Sequence, residues 1–223
     1  EYHAEKSGNT SRKVILNLDR PEEWRHIYGA PDHCVHRYIR QMIVKHPVLV
    51  TALETIQQTP PGGLTVLQTQ VVYKTAGTAY AGQAWNSHQD GFYHRAPYGG
   101  TVTGNIAFTD QDRENGCLFI YPGSHRIGRF LKARLMPSYH EKPGQRPGHD
   151  VSRNIPKEYR GKEIDLNLKR GSLLILHGGV VHGSHPNISK NRSRHMFEAP
   201  FKAVGVPFFE GHGISKRMEI PIR

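Results

Sequence analysis

The sequence predicts a single, mainly β domain, either an antiparallel sandwich or a jelly roll. Short runs rich in β-branched and aromatic residues recur along the chain, separated by turns that contain glycine and proline. Glycine and proline are frequent, with 23 and 15 of the 223 residues, which favours strands over a helical bundle. The length suits one domain with a substantial core, and residues 1–223 show no internal repeat and no sign of a second domain.

The first periodic segment of the chain is helical. Between Asp32 and Gln58, apolar residues recur at three- and four-residue spacing, which is typical of an amphipathic helix. Proline is poorly tolerated inside a helix. We therefore expect His46-Pro47 to divide the segment into two helices, the second running from Val48 to Gln57. The proline and glycine residues of segment 59–63 then end the helical part.

Six strands are predicted after these helices. Each is a short apolar segment, partly alternating, with a turn beside it. Their ranges are Leu64–Tyr73, Thr101–Phe108, Cys117–Tyr121, Ile164–Leu168, Ser172–Leu176 and His195–Ala203.

A long stretch without periodicity, residues 132–162, interrupts the strands. It is rich in proline, glycine, histidine and arginine. Structureless loops of this length are uncommon in a compact domain and are usually functional or disordered. Two interpretations stay open: a lid or substrate loop, and a solvated insertion.

Composition limits the classes of partner. The formal net charge is +11, which attracts anionic ligands. Because the basic residues are scattered, this charge favours acidic or phosphorylated small molecules over nucleic acid. Cys34 and Cys117 lie far apart and form neither a zinc motif nor a disulfide framework, which indicates a cytoplasmic or other reducing intracellular compartment. No apolar run approaches the length of a membrane span.

An H-x-D segment, His88-Gln89-Asp90, is the first candidate for chemistry. Side chains alternate along a strand, so a strand or strand end would place His88 and Asp90 on one face. A second histidine, His182, follows the last strongly apolar strand, although His177 and His185 compete with it. Two imidazoles and one carboxylate are the ligand set of non-heme Fe(II) oxygenases. With 15 histidines in the chain, a structural or surface role is the alternative.

Further segments stand in a fixed order around the H-x-D. They are Glu114-Asn115-Gly116-Cys117-Leu118, Pro122-Gly123-Ser124-His125, Gly171-Ser172-Leu173-Leu174, and His182-Gly183-Ser184 followed by Asn187, Ser189 and Arg194. This ordered set resembles the phytanoyl-CoA dioxygenase family of Fe(II)/2-oxoglutarate-dependent oxygenases, from about Pro47 to Phe201. Residues 1–46 do not match the family clearly and form a divergent or incomplete N-terminal part. The resemblance implies a double-stranded β-helix, a cupin-like jelly roll, with flanking N-terminal helices.

The resemblance also implies a metal site and a co-substrate site. His88, Asp90 and His182 would bind Fe(II). Arg194 and Ser184 would hold the distal carboxylate of 2-oxoglutarate. This chemistry fits, because a guanidinium matches a carboxylate bidentately and a hydroxyl adds a further donor.

Other co-substrate contacts are less direct. Gln70, on the strand before the H-x-D, and Asn105, on the next strand, would also face the co-substrate. One inserted residue gives this chain two candidate arginines, Arg192 and Arg194, which would have the same strand parity. The residues around them favour Arg194.

The implied function is a dioxygenase that uses Fe(II), 2-oxoglutarate and molecular oxygen. It would hydroxylate or otherwise oxidise an unactivated C–H of a small molecule, and decarboxylate 2-oxoglutarate to succinate. Related halogenating enzymes have a small residue in place of Asp90, so the carboxylate favours oxidation. The charge favours a substrate with a carboxylate, phosphate or CoA-type group. The alternatives are a cupin-like metal enzyme that does not use 2-oxoglutarate and a non-catalytic jelly-roll module that binds an acidic ligand.

Overall fold

The computed structural model describes residues 15–17, 40–78, 81–82, 84–136, 148–210, 217 and 219–222. Helix α1 (Pro47–Ile56) follows a π-helical turn at Arg40–Val44, and the short helix α2 (Asp90–His94) lies between two strands. Proline is tolerated at the first position of α1 because a backbone N–H at that position would have no partner within the helix. The expected break at Pro47 is confirmed, whereas most of the helix predicted before it lies outside the described residues.

Antiparallel strands form most of the fold. In chain order they are β1 (Ile15–Asn17), β2 (Leu64–Val66), β3 (Gln70–Lys74), β4 (Trp85–His88), β5 (Thr101–Ala107), β6 (Leu118–Ile120), β7 (Arg134–Met136), β8 (Gly148–Asp150), β9 (Ile164–Asp165), β10 (Leu173–His177), β11 (His182–Ser184), β12 (Arg194–Ala203) and β13 (Ile220–Pro221). Short 3₁₀ turns occur at Ser124–Ile127 and Ser152–Asn154. No helix in the described part of the chain has the length and apolar character needed to cross a membrane.

Eleven of these strands form two sheets, while β7 and β8 form a separate two-stranded sheet. β12 is the central strand of the larger sheet. On one edge β12 pairs with β3 and then with β2; on the other edge it pairs with β5, which carries β10. β1 lies outside β3, and β13 lies outside β2. The smaller sheet has the order β4-β11-β6-β9. This antiparallel, mainly β arrangement confirms the predicted jelly roll.

Alternation along β12 separates the apolar core from the interior of the jelly roll. Phe197 and Phe201 lie on the face of β12 that packs against α1, where they join Leu53 in the main apolar cluster. Residues at even-numbered positions of β12 point to the opposite face of the strand, between the two sheets. They include Arg194, Met196 and Glu198.

Four of the six predicted strands agree with the structure to within one residue at each end, and the other two differ by more. The segment predicted as Leu64–Tyr73 is two strands, because β2 and β3 pair with successive parts of β12 and the chain shifts register between them. At that shift the Leu67 N–H donates to Pro200 O over 2.9 Å. The strand predicted as Ile164–Leu168 ends at Asp165, and Leu168 forms an isolated bridge with Gln111.

The described part of the stretch 132–162 contains two strands and a 3₁₀ turn. β7 and β8 pair with each other, and the Val151 N–H donates to Ser87 O on β4 over 2.8 Å. Val151 and Ile155 also pack against Val181 in a separate apolar cluster. This part of the stretch therefore covers the smaller sheet close to the H-x-D, while residues 137–147 lie outside the described residues. Its assignment as a lid stays a prediction.

Candidate metal centre

The three predicted metal ligands lie together in the structure. β4 and β11 are hydrogen-bonded neighbours with His182 directly opposite His88, and the two ring centroids are 4.3 Å apart. Asp90 Oδ1 is 3.4 Å from Nε2 of His88 and 3.4 Å from Nε2 of His182. One donor atom from each residue lies within 4.8 Å of the others. Ligands at about 2.1 Å from a shared ion require this proximity.

Backbone carbonyls orient both imidazoles. His88 Nδ1 is 2.7 Å from Asn86 O, and His182 Nδ1 is 3.1 Å from Val180 O. A carbonyl only accepts, so Nδ1 carries a proton in each ring, and Nε2 is the nitrogen that could offer a lone pair to a metal. Metal-binding histidines are commonly oriented in this way, and the donor set therefore fits a metal ion.

The two oxygens of Asp90 have different partners. Oδ1 faces the imidazoles, whereas Oδ2 accepts a hydrogen bond of 2.9 Å from Thr103 Oγ1 on β5. Although burial alone would raise it, His182 and His88 hold the pKa of Asp90 well below its usual range. Asp90 is therefore ionised at neutral pH and presents one oxygen, Oδ1, to the space that it shares with the imidazoles.

The backbone at the H-x-D is a strand end followed by a helix. His88 ends β4, and Asp90 is the first residue of α2. Gln89 between them is buried and anchors the junction: its amide donates to Gly179 O over 2.8 Å and accepts from the Leu131 N–H over 2.8 Å. The first turn of the helix, not strand alternation alone, therefore brings Asp90 back beside His88.

Two buried basic side chains lie on the larger sheet, where Arg194 and Lys74 are directly opposite each other on β12 and β3. Arg194 is 1% exposed, and its Nε has no hydrogen-bond partner among the described residues. Lys74 is 0% exposed and donates to Ser184 Oγ over 2.7 Å and to the carbonyl of His185. Burial lowers the pKa of Arg194 to about 10 and that of Lys74 to about 6. A bound anion would favour the charged form of both side chains.

Gln70 and Asn105 lie on either side of Glu198 in the same sheet. The Gln70 amide donates to Glu198 Oε1 over 2.9 Å and accepts from Gln68 over 2.9 Å. The Asn105 amide donates to two backbone carbonyls, one of them Thr103 O at 3.2 Å. Both predicted residues therefore face the interior, with their amide donors already engaged there.

Glu198 is an interior carboxyl that sequence reasoning missed. Burial and then Asp90 raise its pKa to about 7, against the opposing effects of His182, Gln70 and Arg194. Its carboxylate accepts from the Gln70 amide on the neighbouring strand. A glutamate on a strand shows no sequence feature that separates an interior position from a solvent-facing one.

Arg192, the alternative to Arg194, lies at the surface. Its guanidinium pairs with Asp112 and Glu114, each over 2.5 Å, and its side chain is 41% exposed. β12 begins at Arg194, so the two arginines do not share a strand as the sequence suggested. The structure brings Arg194, and not Arg192, into the interior.

The competing histidines also lie apart from the triad. His177 ends β10 on the larger sheet. His185 forms a second group of possible ligands with Asp165 and Cys117. However, Arg113 lies 3.1 Å from Asp165 and 3.3 Å from His185, and burial raises the pKa of the Cys117 thiol to about 11. A nearby guanidinium and a protonated thiol both oppose a metal ion in that second group.

A cavity of about 590 Å³ opens beside α2. Tyr93 connects it to the triad, because its ring centroid is 5.7 Å from that of His88. The Tyr93 hydroxyl also accepts from the His149 N–H over 3.0 Å, which ties β8 to α2. The walls are mostly aromatic and consist of Phe92, Tyr93, Arg95, Ala96, Phe130, Leu135 and His149.

Comparison with known proteins shows similarity to one family. The family model described as phytanoyl-CoA dioxygenase (PhyH) matches residues 6–196. Phytanoyl-CoA dioxygenase domain-containing protein 1 of Rattus norvegicus is 30% identical over 158 residues, which are 70% of this chain and 51% of the relative. The protein of the same name in Bos taurus is 30% identical over 185 residues, 80% of this chain and 59% of the relative. The chain thus spans somewhat more than half the length of these relatives.

Solved structures share the fold at lower identity. The epimerase SnoN, in complex with Fe³⁺, alpha-ketoglutarate and nogalamycin RO, is 17% identical with a TM-score of 0.63 and covers 93% of this chain and 73% of its own. The non-heme monooxygenase ThoJ is 21% identical with a TM-score of 0.58, and covers 92% and 74%. At these identities the likeness supports the jelly roll alone. The family model, in contrast, covers most of the sequence, including the H-x-D and His182, and this chain belongs to the phytanoyl-CoA dioxygenase family.

Proposed function

We propose that this chain is an Fe(II)- and 2-oxoglutarate-dependent oxygenase that oxidises an unactivated C–H bond of a small molecule. The main support is the imidazole–carboxylate triad together with a buried guanidinium that is linked to it through two neighbouring residues. Ser184, two residues after His182 on β11, contacts Lys74, and Lys74 lies directly opposite Arg194. A metal enzyme that does not use 2-oxoglutarate has no need of a buried carboxylate anchor. A non-catalytic binding module has no need of two imidazoles whose Nε2 atoms converge on one carboxylate.

His88, Asp90 and His182 would hold the iron through Nε2, Oδ1 and Nε2. Three protein ligands from one side leave the remaining positions for the co-substrate and oxygen. Bound iron would supply the oxidising chemistry, in which 2-oxoglutarate is decarboxylated to succinate and the substrate C–H is oxidised. The protein contributes the fixed donor geometry: two carbonyls orient the rings, and Thr103 orients the carboxylate.

Arg194 and Ser184 would bind the distal carboxylate of 2-oxoglutarate. Ser184 is two residues after His182 on β11, so both side chains point to the same face. Because the Ser184 hydroxyl oxygen already accepts from Lys74, its own proton is free to donate to a carboxylate. The Arg194 guanidinium adds charge-assisted hydrogen bonds.

The substrate would occupy the cavity beside α2, with an apolar or ring-bearing part against Phe92 and Phe130. Arg95, whose Cζ lies 4.4 Å from the centroid of the Phe209 ring, would attract an anionic group. In a panel of small acids and their amides, binding of the acids should weaken in Arg95→Met while binding of the amides is retained. Equal losses for acids and amides would remove the argument for an anionic substrate.

Succinate formation tests the proposed activity. Wild-type protein should convert 2-oxoglutarate to succinate only when both Fe(II) and oxygen are present. His88→Ala and Asp90→Ala each remove one ligand of the triad and should reduce the rate to background. His125→Ala, at an exposed histidine of the Ser124–Ile127 turn, is the matched control and should retain the rate. Persistent turnover in either ligand variant would refute the assignment.

A further inference from the structure

Several of the sequence motifs meet at Lys74, a residue that the motifs themselves do not contain. The side chain of Lys74 passes over Gly116, where an added Cβ would lie 3.0 Å from Lys74 Cδ and 2.9 Å from His185 O. Gly116 also has a φ of +88°, which disfavours a side chain. The glycine of the Asn-Gly-Cys segment therefore leaves room for the lysine stem.

The polar partners of Lys74 come from the segment that follows the distal histidine. Its ammonium donates to Ser184 Oγ and to the carbonyl of His185. Its own carbonyl accepts from the Asn187 amide over 2.7 Å. These contacts fix the position of Lys74 without supplying a negative charge. A lysine is almost never fully buried unless it is paired, so its surroundings call for an anion.

The neighbouring ionisable groups do not supply that anion. Arg194 lies directly across from Lys74, is itself a cation, and has an Nε without a hydrogen-bond partner among the described residues. Cys117 is the other titratable group that acts on Lys74, and its thiol is protonated because burial raises its pKa to about 11. Two buried basic side chains thus lie opposite each other in the larger sheet, and the Ser184 hydroxyl contacts one of them.

We propose that Lys74 is a positioning residue for the co-substrate: acting through Ser184 and beside Arg194, it supplies a second positive charge to the distal carboxylate of 2-oxoglutarate and takes up a proton when that carboxylate binds. This inference rests on the proposed function. It assigns to one buried lysine a role that neither the metal ligands nor Arg194 can perform.

The direction of the proton transfer follows from the environment. In the structure, burial and then Arg194 lower the pKa of Lys74 to about 6, so the amine is mostly neutral at pH 7.5. A bound carboxylate favours the ammonium form and raises that pKa. Binding is therefore linked to proton uptake, and affinity for 2-oxoglutarate falls as pH rises above about 6, by up to about tenfold per pH unit.

Isothermal titration calorimetry measures this uptake without turnover. Protein loaded with Mn²⁺ is titrated with 2-oxoglutarate at pH 7.5 in buffers of different ionisation enthalpy, and the wild type should take up close to one proton per ligand. Lys74→Met should bind at least about tenfold more weakly at pH 6.5, with no uptake. Lys74→Arg should bind without uptake, because its guanidinium stays charged. Lys169→Met, at an exposed lysine on the surface, should match the wild type.

Pyruvate tests which end of the co-substrate is linked to proton uptake, because it has the 2-oxo acid group but no distal carboxylate. It should bind without proton uptake, and uptake with pyruvate would place the titrating group elsewhere. Wild-type binding of 2-oxoglutarate without uptake, or unchanged uptake in Lys74→Arg, would overturn the role of Lys74. Failure of the wild type to bind 2-oxoglutarate at all would instead refute the proposed function. If Lys74→Met does not fold, the difference in proton uptake between the wild type and Lys74→Arg still tests the role of Lys74.

Discussion

Thr103 determines which oxygen of Asp90 is available to a metal. Its hydroxyl donates to Oδ2 and leaves Oδ1 between the two imidazoles. Without that hydrogen bond, the carboxylate is free to rotate and the burial of Oδ2 is no longer compensated. The threonine thus prepares a single-oxygen ligand before any metal binds.

Thr103→Val should therefore weaken metal affinity by about 10- to 100-fold, which is the usual effect of removing a partner that orients a ligand. Valine keeps the shape of threonine and lacks the donor, while Thr103→Ser keeps the donor and should remain close to the wild type. Titration with Mn²⁺, followed by calorimetry, measures the dissociation constants. Equal affinities for the wild type and Thr103→Val would show that Asp90 does not need this hydrogen bond.

At the scale of single residues, the sequence predicted the three candidate ligands that the structure brings together, but not the residues around them. His88, Asp90 and His182 were identifiable because chemically distinctive residue types stand at short spacing beside recognisable motifs. Lys74 contacts Ser184 across 110 residues of the chain. That contact depends on which strands are neighbours and in which register, and a single sequence contains neither.

The element that differs most from its prediction is α2. A five-residue helix is too short to show a 3.6-residue period, so the sequence predicted only a strand or strand end at the H-x-D. The structure instead ends β4 at His88 and begins the helix at Asp90, where the Gly91 N–H donates to Gly178 O over 2.8 Å. Strand alternation was expected to place His88 and Asp90 on one face. In the structure, the helical turn brings Asp90 back beside His88.

α2 is held in place by a buried neutral histidine. His94, its last residue, is 5% exposed and lies 3.3 Å from Thr101 Oγ1 through Nδ1. Burial, and then Arg217, lower its pKa to about 3, and Asp90 opposes this shift. Since an unfolded histidine has a pKa near 6.5, only the unfolded chain gains the proton at mildly acidic pH.

The folded state should therefore lose stability as pH falls below about 6.5, and the loss should continue down to about pH 3. Between pH 7 and pH 5 the contribution of His94 to the free energy of unfolding should fall by about 2 kcal/mol. His94→Gln removes the titrating group, so its free energy of unfolding should fall less over the same range, whatever its absolute value. Urea denaturation of the metal-free proteins at several pH values measures both slopes, and parallel slopes would contradict the assignment to His94.

For the molecule as a whole, the two sheets supply different halves of the proposed site. The triad comes from β4, β11 and the start of α2, whereas Lys74 and Arg194 come from β3 and β12 of the larger sheet. The jelly roll was predictable, because alternating short strands and ordered motifs are properties of the sequence. How the two sheets face each other depends on packing, and so do the shape of the interior and the position of Glu198 within it.

This division predicts that ligands stabilise the whole fold in two separable steps. Each ligand at a concentration of about 100 times its dissociation constant should add about 2.7 kcal/mol, which in a domain of this size raises the melting temperature by about 5 to 10 °C. Mn²⁺ alone should produce the first increase and 2-oxoglutarate the second.

Arg194→Met should keep the increase due to Mn²⁺ and lose the one due to 2-oxoglutarate, because it removes the carboxylate anchor and leaves the triad intact. Asp90→Ala should lose both, since 2-oxoglutarate binds largely through the metal. Thermal unfolding followed by circular dichroism distinguishes these outcomes, and a full 2-oxoglutarate increase in Arg194→Met would show that the larger sheet does not hold the co-substrate.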